Sequence, residues 1–381
     1  MPVDQTSILK LPIINEAARL MTICNACRYC EGHCAVFPAM ERRLIFDEAT
    51  IDYLSNLCHQ CGACYQHCQY AAPHEFNVNV PLVFAKARNE SYVTHAWPGA
   101  MKWMFRANGL FAFAGFLLFT LLFVAATIHR TGFDGLFTMH AGGFYSFIPH
   151  QIMAGVFGMA GLIVLIVWFF STRNFWQALI LPAPWTIPRR VYVRSLGDAL
   201  TLKNLGGGHG RGCYETSDQP SPTKRRFHHL TMYGFLLCFI ATCLGTFYHY
   251  GLALPAPYGW FTAPKIFGMT GGLSLLAGSI GLLWHKYSTL SDLQHNDQGF
   301  GDTLTWLLII TSATGLALPF LKSSPMLAMM LCIHLASVLC LFLNFAWGKF
   351  LHSIYRLLAL IADALEKERG LVADQGAYFD G

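Results

Sequence analysis

Two short stretches, CNACRYCEGHC from Cys24 to Cys34 and CHQCGACYQHC from Cys58 to Cys68, repeat one spacing, C-x2-C-x2-C-x3-C, and hold eight of the chain's thirteen cysteines. Three thiolates two residues apart can converge on one iron–sulfur cube from a single tight loop, while the fourth points away and serves the neighbouring cluster. On that logic Cys24, Cys27, Cys30 and Cys68 hold one [4Fe–4S] cluster, and Cys58, Cys61, Cys64 and Cys34 hold a second. A zinc site would use two CxxC knuckles or a mixed Cys/His set instead. His33, His59 and His67 lie inside the motifs and are expected to tune potential or stay solvated rather than bind iron.

A second set of chemistry-bearing residues lies further along the chain. His150, His228, His229, His249, His285, His334 and His352 fall within or beside strongly apolar segments, where ionisable groups are functional candidates. Imidazoles from facing helices suit axial ligation of a b-type haem. On one straight helix His334 and His352, 18 residues apart, share a face and are separated by roughly 27 Å. His229 and His249 are separated by roughly 30 Å on the same rise. If these two helices are antiparallel, His229 meets His352 at an inner haem and His249 meets His334 at an outer one. The angular register leaves alternatives open. At 100° per residue His229 and His249 fall on nearly opposite faces, whereas His228 and His249 differ by about 60°. His228 as the inner ligand, a bend near Gly245, or His150 as the outer ligand would each resolve the mismatch, and His285 is a weaker inner alternative.

These residues need a scaffold of two kinds. The composition is 54% hydrophobic and 12% charged, against roughly a quarter charged in ordinary soluble domains, and it points to a membrane. Six apolar segments, at about 107–128, 150–170, 230–250, 266–284, 303–321 and 326–347, each approach the ~20 residues that cross ~30 Å of hydrocarbon. The basic residues cluster in alternate connections. Lys102 and Arg106 precede the first segment, nine Lys and Arg separate the second from the third, and Lys349, Arg356, Lys367 and Arg369 follow the sixth. Both termini are therefore expected in the cytoplasm. Asp4, Lys10, Glu16 and Arg19 interrupt any secretory leader at the N-terminus. In a reducing cytoplasm clustered cysteines read as metal ligands. Cys238, Cys243, Cys332 and Cys340 in the apolar segments read as small hydrophobes.

The expected fold is all-α. Residues 1–100 form a cytoplasmic two-cluster domain with helices over SILKLPIINEAARLMTI, ERRLIFDEATIDYLSNL and VNVPLVFAKARNESYV. Residues 101–350 form a six-helix, cytochrome b-like membrane bundle with a cytoplasmic loop at 171–228, and 351–381 an amphipathic cytoplasmic helix and tail. The GGGHGRGC stretch at 206–213 fits neither GxGxxG nor GxxxxGK[ST] and reads as a loop. No nucleophile constellation or flavin fingerprint is present, and the net charge of +5 gives no case for nucleic acid.

Ala35 and Gln69 stand where small bacterial ferredoxins often carry proline, so the motifs more closely resemble the helical ferredoxin domain of succinate dehydrogenase iron–sulfur subunits. With RFHHLTMYGFLLCF, TFYHY and HLASVLCLFLNFAWGKFLH after them, the whole chain resembles the tricarballylate/citrate utilisation protein B family. The stretch from His334 to His352 also resembles the cytochrome b (gamma) subunit of respiratory nitrate reductase, in which two histidines of one span bind two haems. The family resemblance implies an electron-transfer subunit of the bacterial inner membrane. It would take electrons from the reduced FAD of a soluble tricarballylate dehydrogenase and pass them through the clusters and haem to quinone. Two rivals are a heterodisulfide-reductase-like quinol/thiol oxidoreductase and a membrane redox sensor; a haem pair across the membrane argues against the sensor.

Overall fold

A stretch of alternating thiols can fold only if short helices bring its loops together, and such helices begin where side chains satisfy free backbone N–H groups. The computed structural model describes residues 5–138, 144–179, 187–207, 210–293 and 300–369. Parts of the long connection and loop, at 180–186 and 208–209, and the tail at 370–381 lie outside the described residues. The described residues are helical without a strand; one isolated bridge pairs Cys213 with Ser221.

The N-terminal part comprises α1 (Gln5–Cys27), α2 (Val36–Glu41), α3 (Glu48–Leu57), α4 (Ala63–Gln66) and α5 (Val80–His95). The Asp47 carboxylate accepts the Thr50 N–H at 2.9 Å and starts α3, seven residues after the start of the stretch expected to form it. Asn79 accepts the Leu82 N–H at 3.1 Å and starts α5, with Pro81 in its first turn, where the missing N–H costs nothing. Both cysteine motifs thus hang on helix ends: the first follows α1, and the second leaves α3 and passes through α4.

After the short α6 (Lys102–Arg106) come α7 (Asn108–Thr131), α8 (Phe144–Phe147), α9 (His150–Ala178), α10 (Arg189–Leu200), α11 (Thr223–Gly251), α12 (Ala263–Tyr287), α13 (Phe300–Ala317), α14 (Leu327–Ala346) and α15 (Leu351–Glu368). Five runs among the described residues are long and apolar enough to cross a membrane: α7, α9, α11, α12, and the stretch Leu327–Glu368 that contains α14 and α15. The expected segment at 303–321 forms α13, of 18 residues, between α12 and α14. Helices α11 and α12 lie almost backbone to backbone. A Cβ on Gly234 would stand 2.4 Å from the Leu275 nitrogen, and one on Gly278 2.5 Å from the Thr231 nitrogen. Small residues are what permits such an approach between membrane helices.

The final two helices are not one. Trp347 to Phe350 leave the helical path; Asn108 donates to the Trp347 carbonyl at 3.1 Å, and a Cβ on Gly348 would come within 2.3 Å of the Asn344 side chain. The straight five turns expected between His334 and His352 are therefore broken. Helix α15, strongly amphipathic, turns back against the N-terminal part. Arg42 meets Asp363 at 2.6 Å and Glu366 at 2.8 Å, and Arg43 also pairs with Glu366; the side chains of Arg42, Asp363 and Glu366 are almost wholly buried. One hydrophobic core runs from Ile14 and Leu54 through Phe84 and Phe175 to Tyr355 and Leu360, so the N-terminal part and the bundle are packed as one body.

Candidate functional site

Two cavities lie in the N-terminal part, and each is ringed by four cysteines. The first is lined by Cys24, Cys27, Cys30 and Cys68, with Ile23, Tyr29, Phe37, Tyr70 and Val78 around them. The second is lined by Cys34, Cys58, Cys61 and Cys64, with His33, Val36, His59 and Val80. Each cavity draws three cysteines from one motif and its fourth from the other, because the chain after Cys30 and after Cys64 crosses toward the neighbouring loop. His33 and His67 sit at that crossing, their ring nitrogens 3.3 Å apart.

The spacing of the rings discriminates between occupants. Four thiolates on one zinc ion, at about 2.3 Å each, would lie roughly 4 Å from one another. Among the described residues no three His, Cys, Asp or Glu side chains are close enough to share a single ion. A cube gives each cysteine its own iron and needs a cavity with the sulfurs on its rim, which is the arrangement present. Burial, reinforced by the neighbouring sulfurs, pushes the thiols of Cys24 and Cys30 up to about 12. It pushes Cys61 up to about 11 and also raises Cys34, Cys64 and Cys68. Four thiolates cannot face one another in such a cavity without cationic charge between them, so the ring fits a metal cluster.

The second cavity adjoins the membrane helices. The Tyr214 N–H donates to the Cys61 carbonyl at 2.8 Å, and Lys224, at the start of α11, donates to the Gln60 carbonyl at 2.8 Å and to Glu215 at 2.7 Å. His59 is buried, with Nδ1 2.8 Å from the Leu57 carbonyl; burial and then Arg356 hold its pKa well below the usual histidine value. Burial likewise raises the Glu215 carboxyl.

Beyond His59 stand the histidines. The structure brings His228, rather than His229, to His352: their ring centres are 6.3 Å apart at 75°. His229, the next residue along the helix, packs against Tyr233 instead, ring centres 5.7 Å apart. With a metal–imidazole bond of about 2 Å and each nitrogen about 1.1 Å from its ring centre, two rings on opposite faces of one iron stand roughly 6 Å apart. The Nδ1 of His228 is buried without a hydrogen-bond partner among the described residues. These two residues fit an axial pair.

The outer histidines are arranged otherwise. His249 stacks on His150, ring centres 3.9 Å apart and planes 17° from parallel, so no iron fits between them as they stand. The Nδ1 of His334 lies 3.0 Å from the Thr314 hydroxyl, and its ring lies against Gly315, where a Cβ would approach within 2.9 Å. His285 is directed to Glu215, 4.0 Å away. Of the other cysteines, Cys340 donates to the Ala112 carbonyl at 3.2 Å and Cys213 to the Leu205 carbonyl at 3.2 Å, and both are buried.

Reasoning from the sequence counted Arg356 and Lys224 only among the charges that orient the chain in a membrane and overlooked Arg88; all three line the junction. Arg356, one turn beyond His352, carried a signal; Arg88 carried none.

A family model described as "Citrate utilization protein B" matches residues 109–373, and one described as "Citrate utilization protein B Fer4-like domain" matches residues 17–94. Citrate utilization protein B of Escherichia coli is 41% identical over 360 residues, which covers 93% of each chain. No solved structure matches the chain.

Proposed function

The chain belongs to the citrate utilization protein B family, and from that premise we propose that it is a membrane-bound iron–sulfur and haem electron-transfer subunit serving citrate or tricarballylate use. A soluble FAD-dependent polycarboxylate dehydrogenase is the donor and the quinone pool the acceptor. The observation that carries this reading is the pair of four-cysteine cavities, one beside exposed Tyr29 and the other against the membrane helices. One-electron carriage is the chemistry that two [4Fe–4S] clusters and a b-type haem supply when bound.

The chain's own residues do the rest. Cys24, Cys27, Cys30 and Cys68 hold one cluster and Cys34, Cys58, Cys61 and Cys64 the other. His228 and His352 hold the inner haem. The ion pairs of Arg42 and Arg43 with α15 fix the cysteine part on the bundle, so the distance from the second cavity to the histidines is set by packing rather than by diffusion. Helix α13 makes the sixth crossing, which leaves both termini on the cytoplasmic face of the bacterial inner membrane.

The test is direct. Purified protein mixed with an FAD-dependent tricarballylate dehydrogenase and tricarballylate is expected to lose its iron–sulfur absorbance and gain reduced-haem bands. Reduction by dithionite but not by the dehydrogenase would contradict the donor assignment.

A further inference from the structure

The carbonyl of Cys58 accepts two guanidinium hydrogen bonds. Arg88 of α5 donates through Nη1 at 2.7 Å, and Arg356 of α15 donates through Nη2 at 2.9 Å. Arg88 also donates to the Ser55 carbonyl at 3.2 Å and to the Gln60 side chain at 3.1 Å; Arg356 also reaches the Asn56 carbonyl at 3.4 Å. Arg88 is buried and Arg356 partly so. Neither has a carboxylate within ion-pair distance among the described residues, whereas Arg42, Arg43 and Lys224 each do. A desolvated cation without a counter-ion is costly, and arginine does not escape the cost by losing its proton.

What stands opposite these two charges is the second cavity, whose wall includes Cys58, His59 and Gln60. The first cavity has no such pair: Arg28, the arginine inside its own motif, is exposed and donates to Asn25. Lys224 is another cation beside the second cavity, and Glu215 pairs with it at 2.7 Å.

We propose that Arg88 and Arg356 are positioning residues that supply the counter-charge of the second cluster and set its reduction potential above that of the first. The inference rests on the two-cluster reading given above. Added negative charge is stabilised by fixed cations at short range in a poorly screened site. Burial alone lowers a cluster's potential, because the extra electron loses hydration. Two guanidiniums without a carboxylate in ion-pair contact, bonded to one ligand's backbone, act in the opposite sense and outweigh it. An electron leaving the first cluster for the second then moves downhill, toward His228 and His352. The same arginines cap the last carbonyls of α3, a duty that would leave the potential unmoved.

A redox titration of the full-length purified protein, followed by electron paramagnetic resonance, separates the two roles. Arg88→Gln and Arg356→Gln are each expected to shift the reduction equilibrium of one cluster at least tenfold toward the oxidised form, 59 mV for one electron, and to leave the other cluster unmoved. Arg356→Lys, which keeps the charge, is expected to restore most of the shift. Unchanged potentials, or equal shifts in both clusters, would overturn the inference. If a glutamine variant does not assemble, the order in which the two signals appear with both arginines in place decides. The signal that appears first on reduction should be the one altered by Cys34→Ser; alteration by Cys68→Ser instead overturns the ordering. Protein that carries no cluster signal at all would overturn the two-cluster reading itself, and this inference with it.

Discussion

The cavity ringed by Cys24, Cys27, Cys30 and Cys68 lies beside a tyrosine that is 67% exposed, whereas the one ringed by Cys34, Cys58, Cys61 and Cys64 is walled by Val80 and Pro81 of α5 and has the backbone of one ligand, Cys58, bonded to Arg88 and to Arg356 of α15. One ligand spacing thus occurs in two environments. The difference teaches that the motif specifies what can be held, and its surroundings specify where charge goes next. An exposed cavity can receive an electron from a docked partner. A cavity whose ligand backbone is bonded to membrane-side cations can pass one inward.

The largest expected effect breaks the comparison at its root. Because each cavity borrows one cysteine, Cys34→Ala should empty the cavity of the second motif, and Cys68→Ala that of the first, each removing about half of the non-haem iron. Iron analysis checks this. Loss of the cluster belonging to the substituted residue's own motif would show that the motifs are self-contained.

Next come the histidines. His352→Ala and His228→Ala should each abolish b-type absorption at the inner position, while His229→Ala should retain it. Haem quantitation distinguishes the two. Haem loss in His229→Ala with retention in His228→Ala would reverse the pairing.

That contrast also marks how far the sequence could be read. The cysteine motifs were legible because three ligands of each cavity lie within one loop, and the repeat of the spacing pointed to an exchange of the fourth between the two motifs. The helical character of the chain and its apolar runs were legible from periodicity and length. The histidine partners were not, because they depend on the rotation of α11 about its axis and on the break at Trp347–Phe350. That break is set by Asn108, a residue more than two hundred positions away. The contacts of Arg42 and Arg43 with α15 had no signal either: both fell inside the stretch expected to form a helix, and the partner carboxylates lie more than three hundred residues away.

A third prediction tests the link between the two regions. Glu366 is fully buried and pairs with both Arg42 and Arg43. Removing one partner of a buried pair costs roughly 3–5 kcal/mol. Glu366→Ala should therefore lower the thermal midpoint in detergent substantially and uncouple cluster reduction from haem reduction. An unchanged midpoint would show that the apolar core alone holds the parts together.

The smallest effect is a pH dependence. Burial raises the Glu215 carboxyl above its ordinary value of 4.5. As pH rises through that value the unfolded chain loses a proton that the folded chain keeps, so this group's contribution to stability falls until its raised folded value is passed. Glu215→Gln should flatten the stability profile across that window. A profile unchanged by the substitution would show that Lys224 fully compensates the carboxylate.

The central claim is a redox path built from two clusters and haem in one chain. Its most direct test is a reduced-minus-oxidised spectrum of the purified protein with iron and haem quantitation. The account predicts about eight non-haem irons per chain, as two four-iron clusters require, together with b-type haem bands. Fewer than eight non-haem irons with no b-type absorption would contradict it.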